Sequence, residues 1–107
     1  MKSYYEQDGI TIYHGDCRDI LPMFPDKSFD LVLTDPPYGV GIKYGQTYND
    51  DVTPEEFVSW MKPRFLEMRR VSKTVLLTPG QWMLPYYPRI EKWKWLLAWW
   101  KPAAMGR

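Results

Sequence analysis

Apolar residues fall in short runs along this chain, separated by polar or proline-containing segments. Residues 9–14, 29–34 and 73–78 form three such runs, rich in Ile, Val and Leu, and a glycine or proline follows closely after each. Runs of this length and composition predict strands buried in a sheet. Residues 94–100 form a plausible fourth strand. We expect the first two strands to pair in parallel, with a connecting helix that crosses one face of the sheet.

Helical signals lie between the predicted strands. Asp16 is placed to cap a short helix, which two following prolines end. A stronger signal begins at Thr53, where a capping box and a proline at the first helical position precede apolar residues spaced three and four apart over 57–71. Pro63 lies inside this pattern and should kink or divide the helix. Residues 81–92 are expected to be partly helical, so the chain is predicted to be an α/β layer.

Length and charge set limits on function. The 107 residues allow one domain, spanning 1–107, with a core of its own. The formal net charge of +1 gives no overall basic footprint for nucleic acid. Residues 1–60 hold four Lys or Arg against eleven Asp or Glu, a net of −7, whereas residues 61–107 hold ten against two, a net of +8. The second half could face phosphate, or the opposite charges could lie around one solvated surface.

Cys17 is the sole cysteine in the sequence, so no disulfide can form within the chain. This cysteine usage fits a reducing compartment and predicts a cytoplasmic location. No set of ligands for a structural zinc is present, and we expect no metal. The N-terminus lacks the apolar segment of a signal peptide, and no apolar stretch approaches the length that spans a bilayer.

The strongest chemical signal is the sequence Asp35, Pro36, Pro37 and Tyr38, here called the DPPY corner, which follows the predicted strand 29–34 directly. In open α/β sheets, ligands gather at the carboxyl ends of strands. A rigid turn with a carboxylate and an aromatic ring can grip a planar amino-bearing base, which needs acceptors for its N–H groups and a surface to stack on. The alternative is a tight turn or a polyproline-like ligand.

This corner resembles the catalytic motif of the amino-group DNA methyltransferases, which form N6-methyladenine or N4-methylcytosine with S-adenosylmethionine. Residues 10–17 and 25–30 resemble the segments that lead into that motif in the family, and the later helix and strands fit by pattern. The resemblance covers nearly the whole chain, with its specific motifs in the first 40 residues. It implies a partial Rossmann-like sheet of about four mainly parallel strands with flanking helices.

The resemblance also implies roles for individual residues. The Asp35 carboxylate and the Pro36 carbonyl would accept the two N–H groups of the target amine, Pro37 would fix the backbone, and Tyr38 would stack on a base flipped out of double-stranded DNA. Aspartate at the head of the motif favours adenine N6 over cytosine N4 in this family. Asp16 resembles the acidic residue that binds the adenine amino group of S-adenosylmethionine. The alternative role of Asp16 is to cap the N-terminus of a helix.

Three further features leave alternatives open. Cys17 is a candidate to offer its backbone N–H to the cofactor's adenine. The polar segment 35–52 is predicted to be a lid, in which Asp50 and Asp51 either orient the loop or simply solvate it. The tryptophans of residues 82–100 would form core, a surface that awaits further protein, or a base-stacking platform.

Two family features are missing from the 107 residues, namely the Phe-x-Gly-x-Gly cofactor loop and a variable target-recognition region. We therefore expect the N-terminal catalytic part of a DNA methyltransferase, inactive alone because the methyl donor would lack its anchoring contacts. A homo-oligomer or a complementing chain would suit its exposed sheet edge. The competing hypothesis is a noncatalytic module that binds DNA or a partner subunit through its basic half.

Overall fold

The computed structural model describes residues 2–41, 45 and 49–102. Strands β1 and β2 and the short helix α1 come first, then strand β3, the long helix α2 and strand β4. Two 3₁₀ helices follow α1 and β4, respectively. In chain order the bounds are Tyr5–Gln7 (β1), Ile10–Ile12 (β2), Cys17–Ile20 (α1), Leu21–Met23 (first 3₁₀ helix), Phe29–Thr34 (β3), Pro54–Val71 (α2), Ser72–Leu77 (β4) and Leu84–Arg89 (second 3₁₀ helix).

The N-terminal strands form a hairpin. β2 pairs with β1 in antiparallel fashion, with Tyr5 opposite Ile12, and not with β3. Asp8 and Gly9 join the strands with φ values of 53° and 77°. An Asp-Gly pair in this conformation is the turn that best matches the twist of a two-residue hairpin. The predicted parallel pairing of residues 9–14 with 29–34 is therefore wrong. The Asp8-Gly9 turn gives β2 a local antiparallel partner, and no ladder joins β2 to β3 in the described residues.

β3, α2 and β4 form a parallel βαβ unit. Phe29 lies opposite Ser72, and Thr34 lies opposite Leu77, so the two strands are in register over their full length and end together. Both strands were expected from their apolar composition, and the structure confirms them. One face of this pair packs against α2, while the other leaves apolar side chains exposed, such as Leu33 at 69%.

α2 begins as the sequence predicts. The Thr53 hydroxyl accepts the Glu56 N–H at 3.2 Å and donates to the Glu56 carboxylate at 3.1 Å, and Pro54 occupies the first helical position. The helix runs without interruption through Pro63, so of the two predicted effects, a kink or a division, the division does not occur. Its buried face meets the second 3₁₀ helix in the main hydrophobic core, which comprises Phe57, Met61, Met83, Tyr87 and Ile90.

The carboxyl end of α2 is fastened to the segment that precedes β3. The Lys27 ammonium donates to the main-chain carbonyls of Arg69 and Ser72 at 3.0 and 2.9 Å. The Arg70 guanidinium donates to the Phe24 carbonyl at 2.9 Å and pairs with Asp26 at 2.8 Å. Cations satisfy the free carbonyls of a helix end and suit its negative dipole. These contacts fix where β3 starts relative to β4.

The predicted fourth strand is absent from the described residues. Residues 94–100 have no strand partner there, and Trp95, Trp99 and Trp100 are exposed at 75%, 75% and 82%. A strand needs a neighbour to satisfy its backbone, and neither edge of the β3–β4 pair takes up this segment. The described residues form a mixed α/β structure with one parallel and one antiparallel strand pair. The expected four-stranded Rossmann-like sheet is not seen in this part of the chain.

Candidate active site

The DPPY corner lies where the two parallel strands end. Thr34 and Leu77 are the last residues of β3 and β4 and lie opposite each other, and the Thr78 N–H donates to the Thr34 carbonyl at 3.2 Å. Asp35 and Thr78 are thus one residue beyond two aligned strand ends. This is the position that the sequence predicted for the Asp35 carboxylate, at the carboxyl edge of the sheet.

One oxygen of Asp35 is fully engaged. Its Oδ1 accepts the Thr78 hydroxyl at 2.5 Å and the Tyr38 hydroxyl at 2.7 Å. These two hydrogen bonds, that from Thr78 above all, lower the pKa of Asp35, and the positive charge of Lys101 acts in the same direction. The residue is exposed, and within the described residues no group donates to Oδ2. The carboxylate is therefore ionised at neutral pH, with one oxygen open to a ligand.

The remaining residues of the DPPY corner differ in their exposure to solvent. Pro36 is buried, Pro37 is half-buried, and Tyr38 is 36% exposed. Gly80 lies so close to Tyr38 that an added Cβ would be 2.7 Å from the Tyr38 Cβ. Close backbone approach of this kind admits only glycine. The Tyr38 ring is therefore fixed at its base by Gly80 and at its tip by Asp35.

The loop after the corner is held by Asp50, which is only 1% exposed. Its carboxylate accepts the Gly39 N–H and the Val40 N–H, each at 2.9 Å, and its main-chain carbonyl accepts the Gly41 N–H at 3.2 Å. Of the two readings left open for Asp50, the structure thus favours loop orientation over solvation. Asp51 is exposed. Residues 42–44 and 46–48 of the predicted lid lie outside the described residues.

Asp16 is the N-cap of α1, with its Oδ1 accepting the Arg18 N–H at 2.8 Å. The Arg18 guanidinium also binds both carboxylate oxygens, the shortest contact being 2.6 Å. These bonds lower the pKa of Asp16 to about 2. Cys17 is the first residue of α1, so its N–H has no acceptor within the helix. The cofactor roles of both residues stay predictions.

A small cavity lies between α1 and α2, beside Cys17 and away from the DPPY corner. Its volume is about 120 Å³, and Cys17, Arg18, Leu21, Pro63, Arg64 and Glu67 line it. Pockets that enclose drug-sized ligands are typically about 300–1,000 Å³. The cavity as it stands could hold only part of a nucleoside.

The described residues contain no cluster of three or more His, Cys, Asp or Glu side chains that could hold a metal ion. No helix in the same part of the chain has the length and apolar character to cross a bilayer.

Sequence reasoning missed three residues that shape the site, namely Thr78, Gly80 and Met83. Thr78 was assigned to a strand without a role, although it directly follows β4, which is parallel to the strand that precedes Asp35. Met83 belongs to the core, and a Cβ at Gly39 would lie 2.6 Å from its Cε. The available signal was the Thr78-Pro79-Gly80 sequence, a polar residue and a turn directly after a buried strand.

Comparison of the sequence with known proteins shows the family to which the chain belongs. The model of the N6 and N4 methyltransferases, described as DNA methylase, matches residues 29–87, which is more than half of the chain and includes both parallel strands and the DPPY corner. The chain belongs to the amino-group DNA methyltransferase family. The resemblance first seen in the DPPY corner is thereby confirmed.

Individual family members agree with this assignment. The chain is 34% identical to the type II methyltransferase M.ScaI of Streptomyces caespitosus over 71 residues, 66% of this chain and 22% of that protein. It is 28% identical to M.BamHI of Bacillus amyloliquefaciens over 93 residues, 87% of this chain and 20% of that protein. It is 33% identical to the DNA adenine methyltransferase YhdJ of Escherichia coli K12 over 72 residues, 64% of this chain and 23% of that protein.

The matched region of this family member is short compared with those relatives. The chain spans only about a fifth to a quarter of the length of each of the three proteins. No solved structure matches the chain.

Proposed function

We propose that this chain carries the amine-binding corner of an S-adenosylmethionine-dependent DNA methyltransferase that modifies the N6 amine of a flipped adenine. The observation that carries the proposal is the state of Asp35. Its Oδ1 is held by Thr78 and Tyr38, while its Oδ2 accepts no hydrogen bond from the described residues, beside an aromatic ring that is 36% exposed. A planar base with an exocyclic amine needs this combination of an acceptor and a stacking surface.

The reaction requires a more reactive nitrogen. The amine of adenine is a weak nucleophile because its lone pair is delocalised into the ring. Asp35 Oδ2 and the Pro36 carbonyl would accept its two N–H groups and direct the lone pair out of the ring plane. They would also stabilise the positive charge that develops on the nitrogen. S-adenosylmethionine, when bound, supplies the electrophilic methyl group.

The lowered pKa of Asp35 supports water as the acceptor of the proton. Because Thr78 and Tyr38 stabilise the ionised carboxylate, Asp35 is a good acceptor of hydrogen bonds and a poor store for a proton. The proton lost from the methylated amine would therefore pass to water. Asp35 acts through its charge and its position.

The residues that would hold the cofactor's adenine are Asp16 and Cys17. The Cys17 N–H has no acceptor within α1, which suits a ring nitrogen acceptor. A carboxylate has about four lone-pair sites, so Asp16 can accept a further amino group beside its bonds to Arg18. The N-cap role and the cofactor role are thus compatible.

Adenine is proposed over cytosine for two reasons. Aspartate heads the motif, which in the family favours N6 of adenine. In addition, one relative with 33% identity is a DNA adenine methyltransferase by name. N4-methylation of cytosine is the alternative within the same family.

The test measures transfer of labelled methyl from S-adenosylmethionine to duplex DNA, followed by mass spectrometry of the nucleosides. The 107-residue chain is assayed alone, and the 71 residues of it that align with M.ScaI are also assayed in place of their counterpart in that protein. We expect methyl transfer at least in the chimera, and N6-methyladenine as the product of any transfer by the chain alone. Asp35→Asn should lower kcat/KM by about 100-fold or more, because the amide cannot carry the negative charge.

Asp30→Asn is the matched control, since Asp30 lies on β3, the strand that leads into Asp35, and its carboxylate is exposed in a surface pair with Lys73. Its transfer rate should stay within about twofold, because exposed ion pairs of this kind contribute little. Label that appears regardless of Asp35 would remove the proposed role of the corner. N4-methylcytosine as the product of the chain alone would replace adenine with the alternative.

A second candidate function is a noncatalytic module that binds DNA or a partner subunit. It is favoured by the exposed segment 92–101, where Lys92, Lys94 and Lys101 alternate with four tryptophans. Exposed aromatic rings between cations suit single-stranded nucleic acid. Binding of DNA to the chain should then weaken steeply with salt. A flat or undetectable response would count against this candidate.

A further inference from the structure

Asp50 is the least exposed carboxylate around the candidate site, and both of its oxygens are used. Oδ1 accepts the Gly39 N–H and Oδ2 accepts the Val40 N–H, each at 2.9 Å. Asp50 is 1% exposed, and burial of a charge at this depth is costly unless hydrogen bonds compensate. Charge-assisted bonds to two backbone donors are the kind of compensation that a buried carboxylate requires.

The backbone of this loop is shaped to receive an anion. Gly39 and Gly41 both have left-handed conformations, with φ values of 70° and 84°. Residues that bring successive N–H groups onto one side of the chain form a concave site for negative charge. Here the negative charge comes from the chain itself, because the Gly39 N–H donates to the carboxylate of Asp50, eleven residues further on. The Gly41 N–H adds a third bond, to the Asp50 carbonyl.

These contacts reach the Tyr38 ring through one peptide bond. Gly39 follows Tyr38 directly, and the Met83 side chain fills the space beside the Gly39 Cα. Gly80 packs against the Tyr38 Cβ from another side. With the N–H groups of 39 and 40 held by Asp50, the main chain of Tyr38 has little freedom to turn. At the other end of the side chain, the Tyr38 hydroxyl donates to Asp35 Oδ1 at 2.7 Å.

We propose that Asp50 is a positioning residue, which holds Tyr38 against Asp35 and so presets the acceptor and the stacking ring for the target base. The role in base binding rests on the function proposed above, whereas the mechanical role does not. Asn at position 50 cannot replace it, because one amide oxygen serves one N–H and the amide NH₂ would face the other.

The first experiment tests the two hydrogen bonds from the Gly39 and Val40 N–H groups to Asp50, here called the clamp. It uses ¹H–¹⁵N NMR of the full 107-residue chain. Asp50→Asn should move the Gly39 and Val40 amide protons upfield and speed their hydrogen exchange by about tenfold or more. The α2 amides, such as those of Phe57 and Met61, report whether the fold persists. Asp51→Asn is the matched control, since Asp51 is the exposed neighbour, and should leave both amides unchanged. Formate added to Asp50→Ala should restore the two shifts.

The second experiment separates positioning from a general structural role. If Asp50 holds Tyr38 in place, Asp50→Asn weakens the Tyr38–Asp35 bond, and the pKa of Asp35 rises as followed by its carboxyl ¹³C shift. Asp51→Asn should not change it. In an active chimera, Asp50→Asn should lower kcat by about 100-fold with little change in KM, the size expected for a misplacement of about 1 Å.

The outcomes are distinct. Unchanged Gly39 and Val40 amides in Asp50→Asn would overturn the clamp. Altered amides with an unchanged Asp35 titration would overturn the positioning of Tyr38. If both shift as expected while no methyl is transferred by any wild-type form, the positioning proposal stands and the proposed function fails.

Discussion

Thr78 donates its hydroxyl to Asp35 Oδ1 at 2.5 Å, across the aligned ends of two parallel strands. The contact makes the end of β4 part of the candidate site, although only the end of β3 carries the family motif. It also orients the carboxylate, because the oxygen that accepts from Thr78 and Tyr38 is fixed and the other is left for a ligand. Thr78 thus prepares Asp35 for the role proposed for it.

The first prediction concerns the acidity of Asp35. Thr78→Val keeps the shape of the side chain and removes the donor, so the pKa of Asp35 should rise towards its ordinary value of 3.8. Tyr38→Phe should raise this pKa by a smaller amount, since Thr78 has the larger effect. The measurement is an NMR titration of the carboxyl carbon. Thr74→Val, at an exposed position of β4, the strand that Thr78 follows, is the control and should leave the titration unchanged.

The pH dependence of stability follows from the same shift. A folded pKa below the unfolded value means that Asp35 stabilises the fold at pH values above the unfolded pKa, and that this contribution is lost as the pH falls through the folded pKa. Thr78→Val should therefore flatten the dependence of unfolding on pH in the acid range. An unaltered pH profile in urea unfolding would contradict the Thr78 contact.

The second prediction separates the two functions of Tyr38 in an active methyltransferase that contains this corner. Tyr38→Phe removes the bond to Asp35 and keeps the ring, so kcat/KM should fall by about 2- to 12-fold, the equivalent of about 0.5–1.5 kcal/mol for one hydrogen bond. Tyr38→Ala also removes base stacking, about 1–3 kcal/mol, and should cost far more. Equal losses in the two variants would show that the ring face does not contact the base.

The third prediction concerns Asp16. Its pKa of about 2 is due first to the Arg18 side chain and then to the Arg18 N–H. Arg18→Met keeps the side-chain stem and the N–H, so the pKa should rise part of the way towards 3.8. Because the folded pKa is the lower one, the pair stabilises the fold above about pH 3.8 and the effect is lost as the pH falls through about 2.

The control for this prediction is Arg89→Met, which removes an exposed arginine that lies 3.8 Å from Glu55. It should not move the Asp16 titration. If Arg18→Met also leaves the titration unmoved, the guanidinium contact is not formed in solution.

The fourth prediction tests the start of α2. Thr53→Ala removes the hydroxyl that accepts the Glu56 N–H, and loss of an N-cap costs about 1 kcal/mol. Urea denaturation should show a lower midpoint with an unchanged slope. Ser59→Ala removes a hydroxyl from the exposed middle of the same helix and should stay within about 0.5 kcal/mol. A Thr53→Ala variant as stable as Ser59→Ala would mean that the cap contributes nothing.

Helix caps and two of the strands could be predicted from the sequence alone. The Thr53 cap, the N-cap at Asp16 and the strands β3 and β4 all lie where the sequence predicts them. The Asp8-Gly9 turn could also have been predicted from the sequence. Because it was overlooked, the wrong partner strand was predicted for β2. Such features depend on residues a few positions apart, whose side chains and φ preferences act whatever the rest of the chain does.

The amino-acid sequence by itself determined the family, the DPPY corner and the helix and strand that surround it, because motif, periodicity and caps are short-range properties. Only the tertiary structure decided that Thr78 bonds Asp35, that Asp50 holds the loop after Tyr38, and that residues 94–100 have no strand partner among the described residues. Strand register, burial and hydrogen bonds between distant residues depend on which surfaces pack together. No run of neighbouring residues specifies that choice.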